Sequence, residues 1–280
     1  MITTVRRWKR KLLNFALDPH PLRTWTLWTI QRRRLGTYEW RVDLGAVEKP
    51  AYAHCVREAA RLAKQLHMPR ISVIEFGVAG GSGLLALERH AQRVSESLGV
   101  EIEVYGFDTG HGLPEPTDYR DLPYHWKAGF FEMDPQSLRR RLQHATLVLG
   151  DVSETLGSFI DTFSPAPIGA VMHDMDLYSS TSAGLTLFDV DEAYRLPRIF
   201  TYFDDIIGDR VALYNDYTGE RLAIAEFNQA HPSQKICPAY YLSCRAQAQW
   251  HHQVYVVHDF DHSRYNDFVS RPRQQLPISR

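Results

Sequence analysis

Ile71-Ser72-Val73-Ile74-Glu75-Phe76-Gly77-Val78-Ala79-Gly80-Gly81-Ser82-Gly83 decides how this chain is read. A short, mainly apolar run of strand length ends at an acid and a group of glycines, and a helical pattern follows over residues 83–98. Glycines at such a junction let the backbone turn sharply and approach a ligand with no Cβ in the way. In open α/β sheets, binding sites lie beyond the carboxyl ends of the strands, which is where this loop falls. Its glycines are spaced G-x-x-G-G-x-G, whereas a dinucleotide-binding turn needs G-x-G-x-x-G.

The same alternation continues on both sides of the loop. Residues 52–66 have Ala, Leu and Val spaced for one buried helical face. Strands are predicted at 71–76, 102–107, 145–149, 168–172 and 198–203, with helices at 83–98, 135–142, 153–163 and 181–194 between them. Strand–helix alternation of this kind implies a mostly parallel sheet with right-handed crossovers. Residues 240–245 and 253–259 are strand-like and close in sequence, so an antiparallel pair is expected at one sheet edge. The chain therefore divides into a basic helical extension at 1–45, an α/β domain at 46–262 and a tail at 263–280. Up to Arg34 the extension carries nine Lys or Arg and one acid, Asp18. Val5, Trp8, Leu12 and Phe15 share one helical face, and a second helix is expected around residues 22–35.

Acids recur at the predicted strand ends. Glu75 lies two places before Gly77, Asp108 closes the second strand, and Asp151 follows the third. S-adenosylmethionine (SAM) has no pyrophosphate, and its sulfonium and amino groups are cationic, so carboxylates suit it. Glu75, Gly77, Val78, Gly80, Gly81 and Ser82 are the candidate cofactor loop. Asp108 is placed for the ribose hydroxyls, and Asp151 for the adenine amino group. Each acid alone also reads as a helix cap or a solvated charge.

The fourth strand runs into Met172-His173-Asp174-Met175-Asp176-Leu177-Tyr178-Ser179-Ser180-Thr181, and the fifth into Tyr202-Phe203-Asp204-Asp205. Neighbouring strand ends converge in such a sheet. Asp174, Asp204 and Asp205 would then form a site of hard oxygen ligands of the kind Mg²⁺ prefers. A divalent cation lowers the pKa of a bound hydroxyl, and Asp176 is the candidate base that takes the proton. The structural alternative is a turn at Asp204-Asp205 and a helix cap at Asp174. His111 and His125, in the long segment 109–134, are alternative bases.

These residues together resemble the class I SAM-dependent methyltransferases, and within them the macrocin O-methyltransferase type that methylates sugar hydroxyls. The resemblance covers roughly residues 46–231. It rests on Glu75-Phe76-Gly77-Val78 with Gly80-Gly81, on Asp108-Thr109-Gly110-His111-Gly112-Leu113-Pro114-Glu115-Pro116, and on Asp174-Met175-Asp176-Leu177-Tyr178-Ser179-Ser180-Thr181 with Asp204-Asp205. Ala225-Glu226-Phe227 is a weaker match. The resemblance implies a Rossmann-like sheet with an antiparallel C-terminal edge, Mg²⁺ at Asp174, Asp204 and Asp205, and Asp176 as base. His173 and Ile206-Ile207 depart from the family pattern.

Composition narrows the alternatives. With 280 residues, 44% hydrophobic and 12% aromatic, the chain has ample material for a packed core. A net charge of -1 argues against a chain that coats nucleic acid. Cys55, Cys237 and Cys244 form no C-x-x-C pair, so neither a disulfide framework nor a zinc site is expected and a cytoplasmic home is. The apolar stretch near the start is too short for a signal peptide, and none is long enough to span a membrane. Expected partners are a small-molecule hydroxyl acceptor, such as a sugar, and a second copy of the chain. Peripheral membrane contact through the basic end is the alternative use of that segment. The competing functions are a catalytically silent methyltransferase-like binding protein and a nicotinamide-dependent oxidoreductase.

Overall fold

The computed structural model describes residues 20–244 and 248–270. The helix expected on Val5, Trp8, Leu12 and Phe15, the residues 271–280 and part of the strand expected at 240–245 lie outside these. The chain divides into two compact units between Pro50 and Ala51. Within the first, α1 (His20–Arg33) ends in Arg32 and Arg33, and α2 (Tyr38–Leu44) starts at Thr37, whose side chain accepts the Trp40 N–H. Helix α2 ends at Gly45, which takes the left-handed conformation open to glycine. Neither α1 nor any other helix among the described residues is long and apolar enough to cross a membrane.

Among the described residues, the second unit is built on seven strands in the order β3-β2-β1-β4-β5-β7-β6. After α3 (Pro50–Gln65) come β1 (Arg70–Phe76), α4 (Ser82–Leu98), β2 (Glu101–Asp108), α5 (Pro135–Arg139) and β3 (Thr146–Leu149). Then follow α6 (Val152–Phe163), β4 (Ile168–His173), α7 (Tyr178–Leu185), β5 (Arg195–Phe203), α8 (Gly219–Ala230), β6 (Gln234–Pro238) and β7 (Val254–Asp259). Strands β1 to β5 pair in parallel, and β7 runs antiparallel between β5 and β6. This is the expected mostly parallel sheet with an antiparallel C-terminal edge.

Six of the seven residues of β1 are buried because helices cover both faces of the central sheet, which is why its sequence lacks a polar alternation. The chain leaves β1 for β2 on one side and returns to β4 on the other. The crevice outside the carboxyl ends of β1 and β4 is therefore the switch point at which such sheets bind ligands.

Four local expectations are corrected. The described part of the strand expected at 240–245 is not a strand: Tyr240–Leu242 is a 3-10 turn, and the edge strand is β6. The helix expected over 181–194 is α7, which begins at Tyr178 and ends at Leu185, followed by separate 3-10 turns at Thr186–Asp189 and Glu192–Tyr194. Helix α5 stops at Arg139, short of residue 142. Helices α2 and α8 were not expected from sequence. In the segment after β7, the Arg264 guanidinium donates to Leu66 O and the Arg198 guanidinium to Tyr265 O, so residues up to there are fastened to the domain.

Two buried polar residues carry local structure. Glu88 of α4 takes three backbone N–H groups, of Gln143, His144 and Ala145, on one carboxylate oxygen and so shapes the approach to β3. His173 is fully buried, stacks on Phe203 at 4.5 Å, and has no hydrogen-bond partner for either ring nitrogen. Burial lowers its pKa to about 3, so it is a neutral ring in an aromatic cage. Glu88→Ala should cost about 2 kcal/mol, the scale of leaving buried donors unsatisfied. Glu88→Gln, which keeps the acceptor oxygen, should cost clearly less in a urea unfolding experiment. Equal losses for the two variants would show that the three N–H bonds do not matter.

Candidate active site

Gly77 follows β1 directly and has φ +82°. A Cβ there would lie 1.7 Å from the Asp174 carbonyl oxygen at the end of β4. Only glycine lets the two strand ends come this close, and the closeness brings the glycine loop against the aspartate segment. Gly81, at φ +80°, caps α4 without a side chain. Gly83 lies over Glu75, where a Cβ would stand 1.8 Å from Glu75 Oε1. Glu75 is buried and accepts the Tyr52 hydroxyl at 2.8 Å. Of the remaining loop residues expected from sequence, Val78 is buried, and Gly80 has open space around its Cα. Ser82 is the first residue of α4.

The structure gives Asp108 a task that sequence did not reveal. Its Oδ2 accepts the Val78 and Ala79 N–H groups at 2.9 and 2.8 Å, and its Oδ1 accepts that of Gly110 at 2.7 Å. Asp108 thus holds the glycine loop in its turn, with Ala79 at φ +46°. Oδ1, which carries one N–H against two on Oδ2, keeps acceptor capacity for a ligand. Asp151 caps α6: its Oδ1 accepts the Ser153 N–H at 2.8 Å and the Ser153 hydroxyl at 2.5 Å.

Asp174, Asp204 and Asp205 do converge. Each offers one oxygen, and these three atoms lie within 4.8 Å of one another. Asp174 is not a helix cap, because the residue before α7 is Leu177. Asp176 joins the cluster from the turn that follows β4, where it has φ +64° and the Leu177 N–H donates to Met175 O at 2.6 Å. Left-handed backbone is strained for a residue with a side chain and persists only where the surroundings enforce it. Here Leu177 is fully buried, and its carbonyl accepts the Thr181 hydroxyl at 2.8 Å.

Charge crowding dominates the chemistry. Burial, then Asp205, Asp174 and Asp204, push the Asp176 carboxyl up to about 9. Burial raises Asp205 to about 6, against the lowering effect of the Tyr214 hydroxyl. A fifth acid, Glu220 in the first turn of α8, is fully buried, and burial and Asp205 hold it well above the usual carboxylate range. Its Oε2 accepts the Asp205 N–H at 2.8 Å, and its Oε1 has no partner. Sequence reading missed Glu220, whose only signal was an acid near the weakly matched Ala225-Glu226-Phe227.

Three tyrosines, also missed, surround these acids. Tyr52 donates to Glu75 and lies 3.5 Å from Asp174 Oδ2, Tyr202 donates to Asp204 Oδ1, and Tyr214 donates to Asp205 Oδ1 at 2.5 Å. Burial raises the pKa of all three, so they remain hydroxyl donors at any ordinary pH.

The long segment 109–134 is fastened over α7. The fully buried Asp121 accepts the Ser179 N–H at 2.8 Å and supplies the cap that α7 lacks locally. Arg120 lies 4.4 Å above the Tyr178 ring, and the Tyr178 hydroxyl donates to Glu226 of α8 at 2.5 Å. His111 is exposed, and His125 packs edge-on against Trp126. No hydrogen bond joins either histidine to the carboxylates. His258 and His262 pair with Tyr265 and the Arg195 carbonyl, as expected of structural histidines.

The fold is that of the class I SAM-dependent methyltransferases. In particular, the chain is similar to the solved structure of CalS11, a calicheamicin methyltransferase. The two share 18% identity over 86% of this chain and 93% of that one, with a TM-score of 0.51. A likeness to the O-methyltransferase NovP has 15% identity over 74% and 78% of the two chains and a TM-score of 0.49. The apo form of CalS11, a TDP-rhamnose 3'-O-methyltransferase, gives 17%, 86%, 94% and 0.42. No protein-family model matches the sequence, and no curated protein does.

Two outcomes are expected. Gly77→Ala combines left-handed strain with a backbone clash and should cost about 3 kcal/mol or more. Its melting temperature should fall far more than that of Gly80→Ala, which meets nothing within 4 Å; similar losses would contradict the close approach. The second concerns pH. A carboxyl whose folded pKa is raised contributes stability that is fully present below its unfolded value and is lost as pH rises through the folded one. For Asp176 that window runs from 3.8 to about 9. In EDTA, Asp176→Asn should match the wild-type melting temperature near pH 4 and exceed it at pH 8.5. A gap independent of pH would contradict the crowding.

Proposed function

We propose that this chain is a SAM-dependent, Mg²⁺-assisted O-methyltransferase acting on a hydroxyl of a sugar or glycosylated small molecule. The observation that carries the reading is the convergence of Asp174, Asp204 and Asp205 within 4.8 Å beside a glycine loop closed by buried Glu75. The donor set also fits a hard cation: it is all oxygen, and Asp205 Oδ2 is buried with no hydrogen-bond partner.

The chain's own residues divide the work. Glu75 and the Gly77–Ser82 turn would hold SAM, with Glu75 offering negative charge to its cationic groups. Asp108 would accept one ribose hydroxyl at its remaining Oδ1 position, and Asp151 would meet the adenine amino group through Oδ2. Asp174, Asp204 and Asp205 would hold Mg²⁺, which when bound supplies a lowered pKa for the acceptor hydroxyl. Asp176 would take that proton at its carboxylate. It is suited to do so only once positive charge nearby offsets the three acids that hold it protonated.

The acceptor is read as a sugar because the resemblance rests on the Asp174–Thr181 and Asp204-Asp205 stretches, and CalS11 acts on TDP-rhamnose. Helix α1 exposes Trp25 and Trp28 beside Arg32. It is proposed as the surface for a second copy, with an anionic membrane as the other use of this basic segment. Three cysteines without disulfides suit a cytoplasmic home.

Calorimetric titration with SAM, in Mg²⁺ and in EDTA, tests the reading. Wild type and Asp204→Ala/Asp205→Ala should both bind SAM, and only wild type should bind Mg²⁺. Absence of SAM binding under every condition would sink the proposal and favour a silent binding protein.

A further inference from the structure

The three candidate cation ligands share a feature beyond their convergence, which is a tyrosine hydroxyl beside each. The hydroxyls come from separate parts of the chain: Tyr52 from α3, Tyr202 from β5, and Tyr214 from the segment between β5 and α8. The Tyr52 and Tyr202 rings also meet edge to face at 5.4 Å, so each fixes the other's direction.

The consequence is clearest at Asp205. Its Oδ1 accepts the Tyr214 hydroxyl at 2.5 Å, its Oδ2 is buried, and Asp176 is a further hydrogen-bonding neighbour of the carboxylate. Its N–H is fixed by Glu220, which settles the direction in which the carboxylate leaves the backbone. Asp204 is held in the same way, with Tyr202 on Oδ1. Tyr52 donates mainly to Glu75 but lies within reach of Asp174 Oδ2. At Asp204 and Asp205, then, a neutral tyrosine donor engages one of the two carboxylate oxygens.

We propose that Tyr202 and Tyr214, with Tyr52 behind Asp174, are positioning residues that restrict each aspartate to one oxygen toward a cation. They thereby select a small six-coordinate ion over Ca²⁺. The inference rests on the metal reading given under Proposed function. Ca²⁺ takes six to eight oxygens and readily uses both oxygens of a carboxylate, whereas Mg²⁺ needs near-octahedral geometry and single oxygens. A hydroxyl that engages one oxygen opposes the two-oxygen mode and so disfavours the larger ion. Groups that orient metal ligands from behind commonly contribute about 10- to 100-fold in metal affinity.

The test is calorimetric titration of the metal-free full chain with MgCl₂, MnCl₂ and CaCl₂, each alone. Wild type, Tyr214→Phe and Tyr202→Phe/Tyr214→Phe would be compared, with melting curves as the folding control. Phenylalanine keeps the rings, and Tyr214, the less buried of the two, provides a single variant with the smaller effect on the core. Wild type should favour Mg²⁺ and Mn²⁺ over Ca²⁺. The double variant should lose at least about tenfold in its Mg²⁺-to-Ca²⁺ affinity ratio, because the freed oxygens accommodate Ca²⁺. An unchanged ratio, even with all affinities weakened, would overturn the inference and leave the metal site standing. Failure of wild type to bind any of the three ions would overturn the metal reading and this inference with it.

Discussion

Five carboxyl groups, of Asp174, Asp176, Asp204, Asp205 and Glu220, crowd together at the ends of β4 and β5 and the start of α8, and Asp176, Asp205 and Glu220 among them are buried. Like charges at such distances cannot all be ionised in a poorly solvated place. The chain answers with carboxyls of Asp176 and Glu220 whose pKa values burial raises, with tyrosine hydroxyls, and with the Asp205 N–H fixed on Glu220. None of these removes the excess of acid, and a bound cation would. Much of the surrounding structure serves to bring these groups together despite their repulsion.

The sheet does most of that. Adjacent parallel strands deliver their carboxyl ends to one edge, so Asp174 and Asp204-Asp205 become neighbours although about thirty residues separate them. Gly77 then lets the end of β1 press against the Asp174 carbonyl, which sets the glycine loop and the acidic cluster back to back. In the proposed reaction those are the donor side and the acceptor side, and the proton acceptor Asp176 stands in a strained turn between them. Asp121 and Arg120 extend the same logic outward by tying the long segment 109–134 to α7 and its cap.

What was legible in the sequence follows from this geometry. The glycine loop, β1 and the three converging aspartates could be read because strand ends in a parallel sheet meet by rule. Tyr52 could not: it reads as an ordinary buried position of α3, and its partner Glu75 is 23 residues away. Tyr214 and Glu220 lie in and after a loop that had no periodic pattern. The start of α7 was misjudged because its capping carboxylate is Asp121, 58 residues upstream of Ser179, so no local cap marks Tyr178. The edge strand was displaced because Tyr240-Tyr241-Leu242 has strand-like side chains. In the structure Tyr241 bonds His54 from a 3-10 turn, while the pairing falls to Gln234–Pro238.

The most direct measurement is anomalous diffraction from crystals grown with Mn²⁺ and S-adenosylhomocysteine. One manganese peak is expected at Asp174, Asp204 and Asp205, with the nucleoside product in the loop between Glu75 and Gly83, near Asp108. A nucleoside bound elsewhere, or manganese absent from the three aspartates while the loop is filled, would contradict the proposed function.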